Sequence, residues 1–352
     1  MFDIEGTIAL RRFTLDFTSY LRFNRLRNGI AVGINPDSQE WTVLAEMLLR
    51  LGDNIFTLDF SNFGAGLNFD CGMLFSNLLQ DFFAQHGVNV NGKILEALLL
   101  ELMGSRHVVG NLIYRTYSGS PSGAAITVEI NSFVHLIYSA LAWMIIGDVL
   151  GQVYNRNLLT SVNLVDEYKD LREYFLTNKL PYLEMPLDDY LTNVVAVVYG
   201  DDGLYSVTDD YKEYFNAVTI NLVLKQHRIG VTDASKSEQI TKYSSIRQAT
   251  FLKRSFVPNE LMPRTLWAAA IDWKSVEECV RWIHKKPLSR EAATRENCES
   301  SLLLAWGHGK ERYESWRIEL NKYLTEVGLR PILMSWEDVA QKFYPDICLD
   351  LT

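Results

Sequence analysis

The chain has 352 residues, 48% of them hydrophobic and 22% charged, and a net charge of −9. That balance excludes a disordered chain, collagen and a simple coiled coil. The acidity excludes a wholly basic nucleic-acid coat but not a local basic channel, because net charge describes the average surface and not a cleft.

The length suits about two domains, or one large domain with subdomains, and a core that needs no disulfide staples. Cys71, Cys279, Cys298 and Cys348 are scattered, without a CxxC pair, which fits a reducing compartment. The acidic opening Met1-Phe2-Asp3-Ile4-Glu5 has no apolar core of the kind a signal peptide carries.

In chain order, Arg11, Arg12, Arg22, Arg25 and Arg27 interleave with Phe13, Leu15, Phe17, Tyr20, Leu21 and Phe23, predicting an amphipathic helix with a basic face. A turn at Gly33-Ile34-Asn35-Pro36-Asp37 leads into a helix over Glu40–Leu51. Asn54-Ile55-Phe56-Thr57-Leu58-Asp59-Phe60 predicts a buried strand with a carboxylate near its C-terminal end. Helices follow over Met73–Gln85 and Lys93–Gly104. The loop Ser118–Gly123 feeds a long helix with an apolar stripe at Ile126, Ile130, Val134, Ile137, Leu141 and Ile145, and with Thr127, Asn131, His135 and Tyr138 on another face. Its most apolar stretch, Phe133–Ile146, falls short of the ~20 residues a bilayer span needs.

Asn193–Tyr199 is a continuously apolar strand that breaks at Gly200-Asp201-Asp202-Gly203 and resumes at Leu204–Val207, a β-hairpin with two acids at its tip. Helix is expected over Asp209–Lys225, then a basic segment including Lys236, Lys253 and Arg254, a boundary near Pro258–Pro263 and a helical last stretch of about ninety residues. Trp143, Trp267, Trp273, Trp282, Trp306 and Trp316 read as core and helix packing, and His135 as structural.

Two adjacent carboxylates flanked by valine-rich strands require positive charge nearby, most simply a divalent metal. Asp59 ends another apolar strand. If the strands are neighbours, Asp59, Asp201 and Asp202 converge, and hard oxygen ligands of this kind suit Mg²⁺ or Mn²⁺. Taken alone, an Asp-Asp-Gly tip is an ordinary solvated turn. The order of the surrounding motifs outweighs that reading.

Tyr199-Gly200-Asp201-Asp202 matches motif C of viral RNA-dependent RNA polymerases, Ser122-Gly123…Thr127…Asn131-Ser132 matches motif B, and Asp59 within Thr57–Gly64 matches motif A. Gly230–Ser237 is similar to motif D and Phe251-Leu252-Lys253-Arg254 to motif E, in the right order. Together they resemble the picornavirus-like polymerases, nearest to those of arthropod dicistro-like and ifla-like viruses, over nearly all of the chain.

The resemblance implies an α+β right-handed polymerase fold: a palm with an antiparallel sheet, partial fingers and an α-helical thumb. The expected division is a remnant of fingers at 1–16, palm at 17–65, a fingers insertion at 66–114, palm at 115–262 and thumb at 263–352. It implies that Asp59 and Asp201 are the principal ligands of two catalytic Mg²⁺ ions, for which Mn²⁺ can substitute, with Asp202 as a secondary ligand. Ser122 and Gly123 would form a flexible loop at the templating base, Thr127 and Asn131 would read the ribose 2′-hydroxyl, and Lys236 would be a general acid at the pyrophosphate. Lys253 and Arg254 would grip the primer or product RNA. Template and primer RNA, NTPs, a small protein primer and other viral replication proteins are the implied partners, and host cytoplasm at virus-modified membranes the implied location.

Singly, each residue has a plainer reading: Asn131 bonded to a neighbouring loop, Lys236 and the Lys253–Arg254 pair solvated, Ser122-Gly123 an ordinary loop before a helix. Two departures stand out. Where many relatives carry a second motif A aspartate this chain has Gly64, which shifts weight to Asn131, with Asn62 and Asn68 nearby. Upstream of Gly33 nothing matches the basic motif F or motif G, so the chain is expected to be an N-terminally incomplete fragment. A reverse transcriptase and a non-catalytic or endogenised RNA-binding remnant are the rival readings. The motif B pattern argues against the first and the intact acids argue against the second.

Overall fold

Leu10, Thr14, Phe17, Thr18 and Leu21 line one side of helix α1 (Ile4–Phe23), at the spacing that buries a single helical stripe. The computed structural model describes residues 4–155, 163–232, 240–259, 266–283 and 289–345. In chain order α1 is followed by α2 (Gln39–Leu49), β1 (Ile55–Ser61), the one-turn α3 (Phe63–Gly66), α4 (Phe69–Gln85), α5 (Gly92–Met103), β2 (Arg106–Val109), β3 (Leu112–Arg115) and α6 (Thr127–Val153). Then come α7 (Leu164–Glu167), α8 (Lys169–Thr177), α9 (Leu187–Asn193), β4 (Val194–Tyr199), β5 (Asp202–Val207), α10 (Ala217–Gln226) and β6 (Gly230–Thr232). The C-terminal part holds β7 (Thr250–Phe251), β8 (Arg254–Asn259), β9 (Leu266–Ile271), α11 (Trp273–Glu278), α12 (Arg290–Ala305), α13 (Lys310–Glu326) and α14 (Trp336–Phe343). Two compact units result: residues Met1–Ile34 with Arg50–Ser245, and residues Asn35–Leu49 with Ile246–Thr352.

The first unit is built on a four-stranded antiparallel sheet in the order β4-β5-β1-β6. The β-branched run Val194–Val198 suits a strand buried on both faces. Its edge is extended by residues 29–31, where Ala31 N donates to Val198 O (2.8 Å) and Val198 N to Gly29 O (2.9 Å). Helix α6 packs against β4, α4, α8 and α10. The apolar stripe expected on it is buried at Ile126, Ile130 and Val134, but Leu141 lies on the surface. His135 and Tyr138, on the supposedly polar face, are buried instead, and so are Ser132 and Ser139. A helix packed on several sides hides its polar side chains too, and each then needs a partner. Among the described residues α6 is the one helix long and apolar enough to cross a membrane, and half of its most apolar window is buried inside the unit. Helical dihedrals carry it beyond the shorter stretch the sequence marks as apolar.

Helix starts follow capping side chains, which explains two shifts from expectation. Asn68 Oδ1 accepts from Cys71 N (3.0 Å), so α4 begins at Phe69 rather than Met73. Asn216 accepts from Thr219 N and Thr219 Oγ1 from Asn216 N, a capping box that starts α10 at Ala217 and leaves Asp209–Phe215 as turns.

In the second unit β7, β8 and β9 form an antiparallel sheet, with Phe256 opposite Ala269 and Pro258 opposite Trp267. β8 and β9 therefore pair across the Pro258–Pro263 stretch, and the C-terminal part opens with a strand before it becomes helical. Trp41 of α2 stacks on Phe256 (4.6 Å, 17°) and Trp267 N donates to Thr42 Oγ1 (3.0 Å). Trp306 and Trp336 stack at 5.3 Å and 12°, and each indole N–H donates to the other residue's carbonyl (3.1 and 3.3 Å). The tryptophans behave as core and packing residues except Trp282, which is 72% exposed. It follows the last turn of α11, beyond the reach of the helical packing that covers Trp273.

Candidate active site

The chemistry-bearing residues of the first unit gather where β1, β4 and β5 end. The register Leu58↔Gly203 and Tyr199↔Asp202 makes Asp59 and Asp202 neighbours on adjacent strands. Asp59 and Asp202 are half-buried and Asp201 is exposed. Gly200 and Asp201 form the two-residue loop of the hairpin. Gly200 has a φ of +65°, at the position that type II′ turns reserve for glycine. The three acids thus share one end of the sheet, as the sequence suggested.

Helix α6 holds this tip from below. Ser132 Oγ accepts from Gly200 N (2.8 Å) and donates to Val128 O (2.7 Å), while His135 Nδ1 donates to Gly200 O (3.1 Å). Burial pushes the imidazole of His135 down to about 4, against the smaller opposing effect of its bond to Gly200. Tyr138 accepts from Asn68 N (2.9 Å), and burial raises its phenol to about 12.

Thr127, Asn131 and Asp201 line a single cleft of about 290 Å³ together with Arg22, Glu129 and Tyr199. Thr127 Oγ1 lies within bonding distance of Pro121 O (2.8 Å) and Ala124 O (3.1 Å), so its hydroxyl ties the preceding loop to the helix. Asn131 Oδ1 is buried without a hydrogen-bond partner, so the plainer reading in which it bonds a neighbouring loop gains no support at that atom. Ser122 and Gly123 are exposed in the loop. Gly123 has a φ of +88° and open space where a Cβ would stand, which lets a ligand approach its backbone.

At the departure from the motif A pattern, Gly64 O accepts from Ser120 N (2.6 Å), joining the segment after β1 to the loop before α6. Asn68 is occupied as a helix cap, and Asn62 sits in the left-handed region with a φ of 67°. Lys236 lies outside the described residues. Lys253 and Arg254 belong to the second unit. Lys253 is exposed on the β7–β8 turn, whereas Arg254 is held by Asp37 Oδ1 (3.0 Å) and by Ala269 O (3.0 Å).

Sequence reasoning missed one pair. Arg22 Nη2 meets the fully buried Glu129 Oε1 at 3.2 Å, and Glu129 Oε2 has no hydrogen-bond partner. The sequence showed only an acid in the first turn of the long helix; the burial that calls for a cation is a property of the packing.

The donor set fits Mg²⁺ or Mn²⁺. Carboxylate oxygens on converging strand ends are hard ligands, and Asp201 faces an open cleft. Among the described residues no three His, Cys, Asp or Glu side chains already gather tightly enough to cage an ion. Mg²⁺ sites use one or two carboxylates, with waters and substrate phosphates completing the shell, so a closed cage is not expected.

An antiparallel sheet carrying acids at a hairpin tip, gripped by a long helix beside a cleft, defines a palm of the template-directed polymerase kind. The viral RNA-dependent RNA polymerase family model matches residues 2–343, and the chain belongs to that family. It is 30% identical over 345 residues to the genome polyprotein of Deformed wing virus, covering 97% of this chain and 11% of that polyprotein. It is 26% identical over 320 residues to the replicase polyprotein of Cricket paralysis virus, covering 88% of this chain and 16% of that polyprotein. The fold matches the solved Sicinivirus 3Dpol RNA-dependent RNA polymerase with a TM-score of 0.71 at 21% identity, over 97% of this chain and 61% of that one. The chain thus spans a small part of the polyproteins and about three fifths of the solved polymerase. The resemblance to picornavirus-like polymerases and the α+β right-handed polymerase fold are both borne out.

Proposed function

We propose that this chain is the nucleotidyl-transferring part of an RNA-directed RNA polymerase that extends an RNA 3′ end on an RNA template. The observation that carries the reading is the register that sets Asp59 beside Asp202, with Asp201 at the adjoining tip and lining the cleft. In the reaction the primer 3′-hydroxyl oxygen attacks the α-phosphorus of an NTP, the hydroxyl proton leaves, and the bond to pyrophosphate breaks. Asp59 and Asp201, with Asp202 secondary, would hold two Mg²⁺ or Mn²⁺ ions, whose chemistry when bound is to activate that hydroxyl and to neutralise charge on the phosphates.

The chain's own residues would do the rest. Asn131 offers a buried, unpartnered acceptor to a ribose hydroxyl. Thr127 orders the loop that carries Ser122 and Gly123, whose open backbone admits the templating base. Lys236 would donate a proton to the leaving pyrophosphate, and Lys253 and Arg254 would grip the product strand. Template and primer RNA, a small protein primer and other viral replication proteins are the proposed partners, and the host cytoplasm at virus-modified membranes the proposed location.

Primer extension on a homopolymer RNA template with Mn²⁺, run for this chain and for Asp201→Ala, tests the reading. NTP-dependent extension that disappears in Asp201→Ala is the expected result. Extension that survives the substitution overturns the metal assignment, and a preference for dNTPs revives the reverse transcriptase reading.

A further inference from the structure

His135 does not line the cleft described above, yet its ring lies against a residue next to each of the three acids. Its Nδ1 bonds Gly200 O, the carbonyl immediately before Asp201. A carbonyl only accepts, so Nδ1 carries the proton and Nε2 is a bare acceptor. Nε2 is buried and has no hydrogen-bond partner. On the far side of the acid pair the ring lies over Gly203, so close that a Cβ there would stand 2.4 Å from its Cε1. On the third side it meets Phe60, the residue after Asp59, edge to face at 4.6 Å and 83°. One side chain therefore touches the residues before Asp201, after Asp202 and after Asp59.

An imidazole is an expensive way to fill that space. A leucine or phenylalanine would occupy it without burying an unpaired nitrogen. What those side chains lack is the donor at Nδ1. The donor completes a two-point clamp, because Ser132 Oγ already takes Gly200 N–H. The peptides on either side of Gly200 are each tied to one helix, Ser132 holding the one before it and His135 the one leading into Asp201.

We propose that His135 is a positioning residue that fixes the Gly200 peptide and thereby sets the Asp59–Asp201–Asp202 geometry for divalent cation binding. This rests on reading those acids as metal ligands. Second-layer groups of this kind orient metal ligands, and their removal typically weakens metal affinity by about 10- to 100-fold.

The test is Mn²⁺ binding to the full chain, followed by the electron paramagnetic resonance signal of free Mn²⁺, with thermal melting by circular dichroism alongside. His135→Leu keeps volume and removes the donor, and is expected to weaken Mn²⁺ binding about 10-fold or more. His135→Asn places an amide N–H where Nδ1 stood and is expected to recover most of the affinity, even though its smaller side chain lowers the melting temperature. Ser132→Ala, a one-atom deletion that leaves the apolar packing in place, is expected to weaken binding less than His135→Leu does. Asp201→Asn is the reference for the metal reading itself.

Loss in Asp201→Asn with unchanged binding in His135→Leu and Ser132→Ala overturns the proposal and leaves the metal reading standing. Equal weakening in His135→Leu and His135→Asn also overturns it, since the donor would then be irrelevant. Unchanged binding in Asp201→Asn removes the metal reading and the proposal with it.

Discussion

The two units hide different kinds of side chain. In the first, Glu129, Ser132, His135, Ser139, Ser206, Asn216 and Thr219 are all buried, several against the active-site tip. In the second, among the described residues, Thr42 and Ser301 are the only buried polar side chains. The second unit instead holds seven of the eight tryptophans, and Trp143 alone lies in the first. Buried polar networks fix one geometry at the cost of desolvation, whereas stacked aromatics bury area with little need of partners. On the function proposed above, the first unit presents three carboxylates in register and has reason to accept that cost.

The sharpest way to break this contrast is to cut into the aromatic core. Trp306→Ala should destabilise the second unit by about 3–5 kcal/mol, the scale for emptying a buried aromatic site. Amide hydrogen exchange should then rise across α12 to α14 while β4 and β5 stay protected. Loss of protection in both units together would show that they do not unfold separately.

Acid should act the other way round. His135 is held neutral by burial, at about 4 against an ordinary 6.5. The unfolded chain therefore takes up a proton first as the pH falls. The stability that the neutral ring contributes is complete above about pH 6.5 and is lost progressively toward pH 4, by on the order of 3 kcal/mol. Exchange of the β4–β5 amides at pH 7, 5.5 and 4.5 measures this, and His135→Asn should flatten the profile. His308 in the second unit is also lowered, chiefly by burial, so a smaller loss in the same direction is expected there.

A smaller effect sharpens the argument about geometry. Gly203→Ala drives a methyl group into the His135 ring, and overpacking of this kind costs about 1–3 kcal/mol. Pairing it with His135→Asn should recover part of that loss in a urea melt. If the two losses simply add, the ring is not what the methyl meets.

The smallest effect falls on the β7–β8 turn. Leu252 and Lys253 both hold left-handed φ angles, 52° and 59°, where two-residue hairpin loops ordinarily place Asn-Gly. Lys253→Gly should stabilise the second unit by about 1 kcal/mol. If the lysine grips RNA, the same variant should bind a primer–template more weakly at low salt, and unchanged binding would remove Lys253 from that role.

Much of the first unit was legible because periodicity and turn chemistry act locally. The apolar run before Asp59, the valine strand before Gly200 and the long helix were all evident; the hairpin was too, but its break was read over Gly200–Gly203, whereas strand pairing takes in Asp202 and Gly203 and leaves a two-residue loop. The missing parts depend on what packs against what. The structural reading of His135 agrees with its burial, but nothing local says that Ser132 is buried or that both side chains hold Gly200. Glu129 needed Arg22, more than a hundred residues away in sequence. The late start of α10 hung on one asparagine whose side chain outcompeted the helical continuation of Asp209–Phe215. β9 was absorbed into a helical reading because Leu266–Ile271 is mostly alanine and bulky apolar residues, and the pairing with β8 decided its conformation. At the site, the acids and Gly123 could be read from motif order, but the tie of Arg254 to Asp37 could not.

The face-to-face indoles of Trp306 and Trp336 also make the protein its own spectrometer. Two transition dipoles 5.3 Å apart couple, so the pair should give an exciton couplet in the far ultraviolet that vanishes when the rings separate. With only Trp143 emitting from the other unit, near-ultraviolet emission follows the second unit almost alone. Backbone ellipticity reports on both units at once, so a mismatch between the two signals during denaturation would reveal which unit melts first, with no added label.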